Sequence, residues 1–303
     1  MSQVDEASPA MPDLPVVVGV ATLVSATSVT PHMRRVTLTS PLFDRLDDPL
    51  GVNWPIRLYF PRPGQEVRAP VLADTVNDYV GEDADKPIPR PFTVRNFDSK
   101  TRELAVDLVV HPNGGAGCAW AVGAEPGDRI GFLVPSIQLE DVPDESAIDW
   151  HLMLGDDTAI PAFASFLHHL PAGARAHVFV EVAAAADEQP LPSSADATIT
   201  WLHRGDAAPG TCGLLERALQ EFAWPEGRGY VRVISEAKEV GRMRRFLREE
   251  RGLDRRSYSV NVYWRLGRSI TQAFSGNGIM TGPADGEPLD MAEQWNAMME
   301  RDE

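Results

Sequence analysis

Over roughly the first 140 residues the apolar positions fall in short runs. These are rich in β-branched side chains and broken by clusters of Pro, Gly and Asp, a pattern that predicts strands rather than helices. Six such runs stand out: Val16 to Val24, Met33 to Ser40, Pro55 to Pro61, Pro89 to Phe97, Glu103 to His111 and Asp128 to Val134. Turn residues (Ser28, Thr30, Pro31) separate the first two. Short strands with a single helical turn near Cys118 predict an antiparallel barrel. The stretch from Arg62 to Lys86 is polar and proline-broken and reads as a long flexible loop.

After an acidic linker, Glu140 to Asp149, the period changes. Apolar strands at Trp150 to Leu154, Arg175 to Val182, Ala197 to His203, Tyr230 to Ile234 and Ser257 to Trp264 are interleaved with helical patterns. The helices are expected at about Ala159 to Leu170, Gly213 to Phe222 and Glu236 to Arg251. Alternation of this kind predicts a parallel sheet with crossover helices, whose ligand sits at the carboxyl ends of the strands. The fold class is therefore all-β plus α/β. A six-stranded antiparallel barrel over 16–140 is followed by a linker at 141–148 and a nucleotide-binding-like α/β domain over 149–265. Residues 266–303 form an extension. Within it Leu289, Ala292, Trp295 and Met299 share one face, so a terminal amphipathic helix is expected from Pro288 to Glu300, docking on the body or serving as a lid or dimer contact.

Composition narrows the partners. The 303 residues suffice for two cores. A formal charge of −16 disfavours nucleic acid, anionic membranes and an acidic ferredoxin, leaving a small molecule as the expected substrate. Two cysteines, Cys118 and Cys212, make no disulfide framework and suggest a reducing compartment. Residues 1–15 read as a disordered leader without signal-peptide character, and no run is long enough to span a bilayer. A soluble, cytoplasmic protein is expected, with its oligomeric state open. No Cys/His spacing matches a zinc or iron–sulfur site, and neither a nucleophile elbow nor a P-loop is present, so the chemistry must come from a bound cofactor.

The stretch Arg90-Pro91-Phe92-Thr93-Val94-Arg95 offers an aromatic ring, a hydroxyl and two guanidinium forks on an extended segment. Beyond it His111-Pro112-Asn113-Gly114-Gly115-Ala116-Gly117-Cys118-Ala119-Trp120 runs from a strand through a glycine-rich turn into a helix, where bare N–H groups favour an anion. An aromatic ligand with phosphates fits both halves, and a flavin dinucleotide is one such ligand.

Together with Thr30 to Leu38, Gly155-Asp156-Asp157-Thr158-Ala159-Ile160-Pro161-Ala162 and Tyr263-Trp264-Arg265, these motifs resemble the siderophore-interacting proteins. Those are FAD-dependent ferric-siderophore reductases related in fold to ferredoxin–NADP reductases. The likeness spans about Val16 to Gly267. It implies FAD bound by the barrel through Arg90, Pro91, Phe92, Thr93, Arg95, His111, Gly114, Gly115, Ala116, Gly117, Cys118 and Trp120, with Asp156, Thr158 and Trp264 from the second domain. It implies that the aromatic Phe92 packs on the isoalloxazine and that Thr93 addresses its N5 edge. Arg57, Asp157, Ser235, Glu236, Arg244, Val262 and Tyr263 fall in the implied substrate and nicotinamide region. No resident metal is implied.

The chain also departs from the family pattern. Phe92 stands for a usual Tyr, and Pro112 for a usual Gly. Pro55 replaces a usual His, Arg57 a usual Lys, and Ser235 and Val262 usual glycines. The last four cluster away from the phosphate grip, so the flavin site is expected to be kept and the electron-supply side altered, with Ser235 and Val262 crowding the nicotinamide. Two functions follow. The first is electron transfer from NAD(P)H through FAD to an Fe(III) chelate. The second is a biosynthetic role in which FAD is a fixed binding element and the cleft performs a non-reductive cyclisation or rearrangement.

Overall fold

The computed structural model describes residues 16–46, 50–70, 87–111, 114–135, 143–144 and 147–267. The expected leader, the terminal helix and most of the 62–86 loop lie outside these residues.

Six strands close into an antiparallel barrel: β1 (Val16–Thr30), β2 (Met33–Thr39), β3 (Pro55–Phe60), β4 (Ile88–Asp98), β5 (Glu103–Val109) and β6 (Arg129–Pro135), in the order β1-β2-β5-β4-β3-β6. Inward positions follow the period of two, as in Leu104, Val106 and Leu108 of β5, all essentially inaccessible. Between β5 and β6, helix α1 (Ala116–Gly123) plugs one end of the barrel, its Ala121 fully buried and its Trp120 ring meeting Phe60 edge-on at 5.7 Å. β1 runs six residues past the expected Val24, paired with β2 through register shifts after Leu23 and Ser28. These bulges let one strand serve both neighbours of a small barrel.

The second half is a parallel five-stranded sheet. Its strands are β7 (Trp150–Asp156), β8 (Arg175–Val182), β9 (Asp196–His203), β10 (Gly229–Glu236) and β11 (Tyr258–Trp264), ordered β11-β10-β7-β8-β9. Helix α2 (Ile160–His169) covers one face, and α3 (Leu214–Glu221) and α4 (Ala237–Arg245) the other. α4 then widens into a π turn over Phe246–Glu250, with Arg251 N–H bonded to the Phe246 carbonyl, so the expected single helix to Arg251 changes pitch near its end. Among the described residues no helix is long and apolar enough to cross a membrane.

The two halves have their own cores and meet at an apolar seam. Met33 of the barrel is a buried member of the cluster formed by α2 and β8, and Val29, Val52 and Val109 pack against it. Polar ties reinforce the seam. Both the backbone N–H and Nδ1 of His32 lie within 3.1 Å of the Asp187 carboxylate, and Asn53 N–H donates to Ser165 Oγ at 2.8 Å.

Candidate functional site: a phosphate grip and a buried carboxylate network

Strand β4 lies between β3 and β5, with Arg90 opposite Leu58, Phe92 opposite Ile56 and Thr93 opposite Pro55. The Arg90 Nη1 donates to the Pro89 carbonyl at 2.7 Å, and burial lowers its pKa from the usual arginine value. A Cβ added to Gly115 would stand 4.0 Å from Arg90 Nη2. The cation therefore looks across a glycine at the start of α1. That start carries no side-chain cap, so its first N–H groups are presented as bare donors. A half-buried guanidinium beside an uncapped helix start fits the diphosphate of a dinucleotide.

The rest of the turn is built to allow this approach. A side chain on Gly114 would collide with Cys118. The Cys118 thiol ties back to the turn, donating to the His111 carbonyl and lying 3.3 Å from the His111 N–H. Gly117 lets the helix lie against the rings of Phe60 and Phe92. Ala116 packs on the barrel cluster. Pro91 is exposed on the outer face of β4 beside Arg57, which is half-buried.

Two residues of this set have protein partners that the sequence did not reveal. Phe92 meets Phe60 edge-on, centroids 6.1 Å apart, so α1 and β3 supply part of its cover and a flavin ring need not supply it all. Arg95 Nε lies 3.4 Å from Asp107 Oδ2, and Arg35 grips the same carboxylate with two bonds of 2.6 and 2.8 Å. Asp107 is buried between the two arginines. The structure thus gives Arg95 a structural ion pair, where phosphate contact was expected.

Thr93, Asn53 and Tyr263 meet across the seam. Thr93 Oγ1 donates to Asn53 Oδ1 at 3.2 Å, the Tyr263 hydroxyl donates to the same oxygen at 3.4 Å, and the two hydroxyls lie 3.4 Å apart. Asn53 was not foreseen. Its only local signal is a left-handed backbone, φ 50°, that asparagine tolerates better than most residues.

The sheet order reverses beside β7, so the crevice expected to take a ligand lies between the ends of β7 and β10. Buried side chains fill it. Asp156 Oδ1 accepts from the Thr158 N–H and hydroxyl, and its Oδ2 accepts from Trp264 Nε1 at 2.6 Å and lies 3.1 Å from Ser235 Oγ. Ser235 Oγ is also 2.8 Å from Glu239 Oε2. Burial first, then the neighbouring Asp157 charge, pushes Asp156 up to about 7. Burial likewise pushes Glu239 up to about 7. Asp157 is raised by burial against the pull of Arg204, which donates to it at 2.9 Å, and of His111. Glu181 is raised by burial and accepts from the Cys212 thiol, itself pushed up to about 11. Among the described residues these acids form no set of three placed to hold a metal ion.

Two expectations change here. Val262 does not face the crevice, because it is a buried member of the apolar cluster beneath α3 and α4, in phase with Tyr258 and Val260. Ser235 is fully buried too, its hydroxyl turned to Asp156 and Glu239. Crowding of a nicotinamide by these two side chains is therefore not what the geometry shows. Nor is the first turn of α4 open to a phosphate. Glu236 caps it, accepting from Lys238 and Glu239 N–H, and takes the Leu266 N–H on its other oxygen. Arg244 lies in the last turn, away from that end.

A closed antiparallel barrel joined to a parallel α/β sheet, with a cation set over an uncapped helix start, defines an FAD-binding protein of the ferredoxin–NADP reductase fold. A ferredoxin–NADP reductase from Neisseria gonorrhoeae, solved with FAD and NADP, superposes with a TM-score of 0.54 over 83% of this chain and 100% of its own, at 14% identity. The sequence profile of the siderophore-interacting FAD-binding domain matches residues 22–139, and that of the siderophore-interacting protein matches 148–267. The chain belongs to the siderophore-interacting protein family. It is 40% identical to a siderophore utilization protein from T. fusca, whose crystal structure superposes with a TM-score of 0.73 over 84% of this chain and 95% of that one. It is 30% identical over 248 residues to the ferric vibriobactin reductase ViuB of Vibrio cholerae, covering 80% of this chain and 87% of the relative.

Proposed function

We propose that this protein is an FAD-dependent oxidoreductase that passes electrons from NAD(P)H through FAD to the iron of an Fe(III) chelate, acting in the cytoplasm on a small-molecule substrate. The observation that carries the reading is the Arg90 guanidinium facing the uncapped start of α1 across Gly115. The likeness to ViuB, named a ferric vibriobactin reductase, supplies the substrate class. When bound, FAD would accept two electrons as hydride and release them singly, which a nicotinamide cannot do for iron.

The chain's own residues do the rest. Arg90 and the first N–H groups of α1 hold the diphosphate. Thr93 and Tyr263 present hydroxyls at the seam. Arg57 of β3, paired with Pro91 of β4, offers a cation to an anionic chelate. Absorbance of the purified protein tests the reading. A flavin spectrum that bleaches anaerobically with NADPH and returns on adding an Fe(III) chelate is expected.

A second reading has a specific observation in its favour. The crevice at the strand ends holds Asp156, Asp157, Glu181, Glu236 and Glu239, all buried. Those that stay ionised oppose a nicotinamide dinucleotide's phosphates, with Arg204 beside Asp157 offsetting part of their charge. In that reading FAD is a fixed binding element and the cleft performs a non-reductive rearrangement. A flavin that bleaches with dithionite but never with NADPH or NADH would favour it.

A further inference from the structure

One loop crosses the mouth of the second sheet. It leaves β9 at Arg204 and enters α3 at Leu214, and no residue from 205 to 213 is buried. Its near end is pinned beside β8, the Arg204 and Gly205 N–H groups donating to the carbonyls of Val182 and Ala183 at 3.0 Å. Gly210 then lies against the side chains of Glu236 and Trp264, at the ends of β10 and β11. Two residues later the chain is back at β8, where the Cys212 thiol donates to Glu181. β7 stands between β10 and β8 in the sheet, so a chain touching both passes over the end of β7.

What lies beneath is polar and shut off from solvent. Asp156, Glu181, Ser235 and Glu239 are fully buried, and one carboxylate oxygen each of Glu181 and Glu239 has no hydrogen-bond partner among the described residues. The guanidinium of Arg204, itself almost buried, stands 4.0 Å from that Glu181 oxygen. Carboxyls short of partners gain by meeting water. The loop that covers them is held by polar contacts: the Cys212 thiol and the Gly210 N–H on Glu181, and Arg217 Nη1 on the Cys212 carbonyl at 3.2 Å. A segment with no buried side chain opens locally, well before the whole molecule unfolds.

We infer that residues 205–213 form a lid over the crevice between β7 and β10, closed in this structure, with Glu181 as its latch. Closed, the lid keeps water and ligands from the acids at the strand ends. Lifting it parts Cys212 and Gly210 from Glu181 and uncovers Arg204 and the carboxyls. Left-handed glycines at 205 and 213 stand where it joins β9 and α3. Gly210 sets the closed position. It too is left-handed, φ 73°, and a Cβ there would come within 2.9 Å of Glu236 Cβ, so a side chain would prop the lid up. The motion needs no flavin. Protein free of FAD should show it equally, and its failure would leave the reductase reading untouched.

Alkylation of the full chain by N-ethylmaleimide, read by peptide mass at each cysteine, tests this. In the closed form burial, then the bond to Glu181, pushes the Cys212 thiol up to about 11 and leaves little thiolate, so Cys212 reacts through the lifted form. Gly210→Ala should speed its alkylation about tenfold, because a left-handed backbone resists a side chain, with Cys118 as the unchanged reference. Equal Cys212 rates in Gly210→Ala and wild type would overturn the lid. A matching rise at Cys118 would mean general loosening of the fold and count against it too. Native-state hydrogen exchange of the wild type gives an answer that needs no variant. The Gly210 amide, bonded to Glu181, should exchange faster than the amides of β8 and β9, with no acceleration in sub-denaturing urea. Exchange at Gly210 that rises with urea in step with those strands would make 205–213 a fixed part of the domain, opened only by unfolding, and overturn the inference.

Discussion

Ser235 Oγ lies 3.1 Å from a carboxylate oxygen of Asp156 and 2.8 Å from one of Glu239, a single hydroxyl between two fully buried acids. One hydrogen cannot serve two carboxylates, so the arrangement is satisfied when Glu239 carries a proton and donates to Ser235, which donates onward to Asp156. Asp156, with Thr158 and Trp264 also donating to it, is the better home for the charge.

This predicts a pH dependence with a definite sign. A carboxyl whose folded pKa is raised stabilises the fold below its unfolded value, near 4.5, and that contribution is lost as pH rises through about 7. Glu239→Gln should therefore gain on wild type as pH rises from 5 to 8, with the difference in Tm widest above pH 7. Parallel Tm profiles would show that Glu239 is not held protonated.

Arg90→Ala should strip FAD from the protein. Losing one charge-assisted pair costs roughly 1.5–3 kcal/mol, or about ten- to a hundredfold in affinity. Flavin fluorescence titration of the apoprotein measures it. Full retention would remove Arg90 from the site.

Arg95→Ala and Asp107→Ala should behave differently. Asp107 is buried between Arg35 and Arg95, and removing it leaves two cations without their counter-charge, at a cost of about 3 kcal/mol or more. Urea unfolding should show a marked loss for Asp107→Ala and a smaller one for Arg95→Ala, with FAD affinity little changed in the latter. A flavin defect in Arg95→Ala as large as that of Arg90→Ala would return Arg95 to the phosphate grip.

Phe92→Tyr should be tolerated, since the half-buried ring has an outward edge. Phe92→Ala should lower Tm and loosen FAD together, because the ring supports α1 through Phe60 and the contact at Gly117. Removing such a ring costs about 2–3 kcal/mol when it is partly covered. Unchanged flavin affinity alongside a lowered Tm would mean that the ring serves the barrel alone.

The parts of this molecule legible in the sequence are those written in local patterns. The barrel strands announce themselves by β-branched runs between turn residues, and the second sheet by its alternation with helices. The grip of Arg90 and Gly115 is legible because both halves carry their own chemistry. Contacts between distant segments leave no such trace. His32 and Asp187 stand 155 residues apart, and nothing near either one names the other. The same holds for Asn53 with Tyr263 and for Asp156 with Trp264. Val262 is a different case. Read as a replaced glycine it suggested crowding, yet the period of two along Tyr258, Val260 and Val262 already placed it with the core.

The position of Met33 has a further consequence. A barrel residue buried among α2 and β8 means that the seam between the two halves is itself apolar and buried. Spreading them apart would expose that shared apolar surface, so a clamshell opening is costly and the chain should melt in one transition.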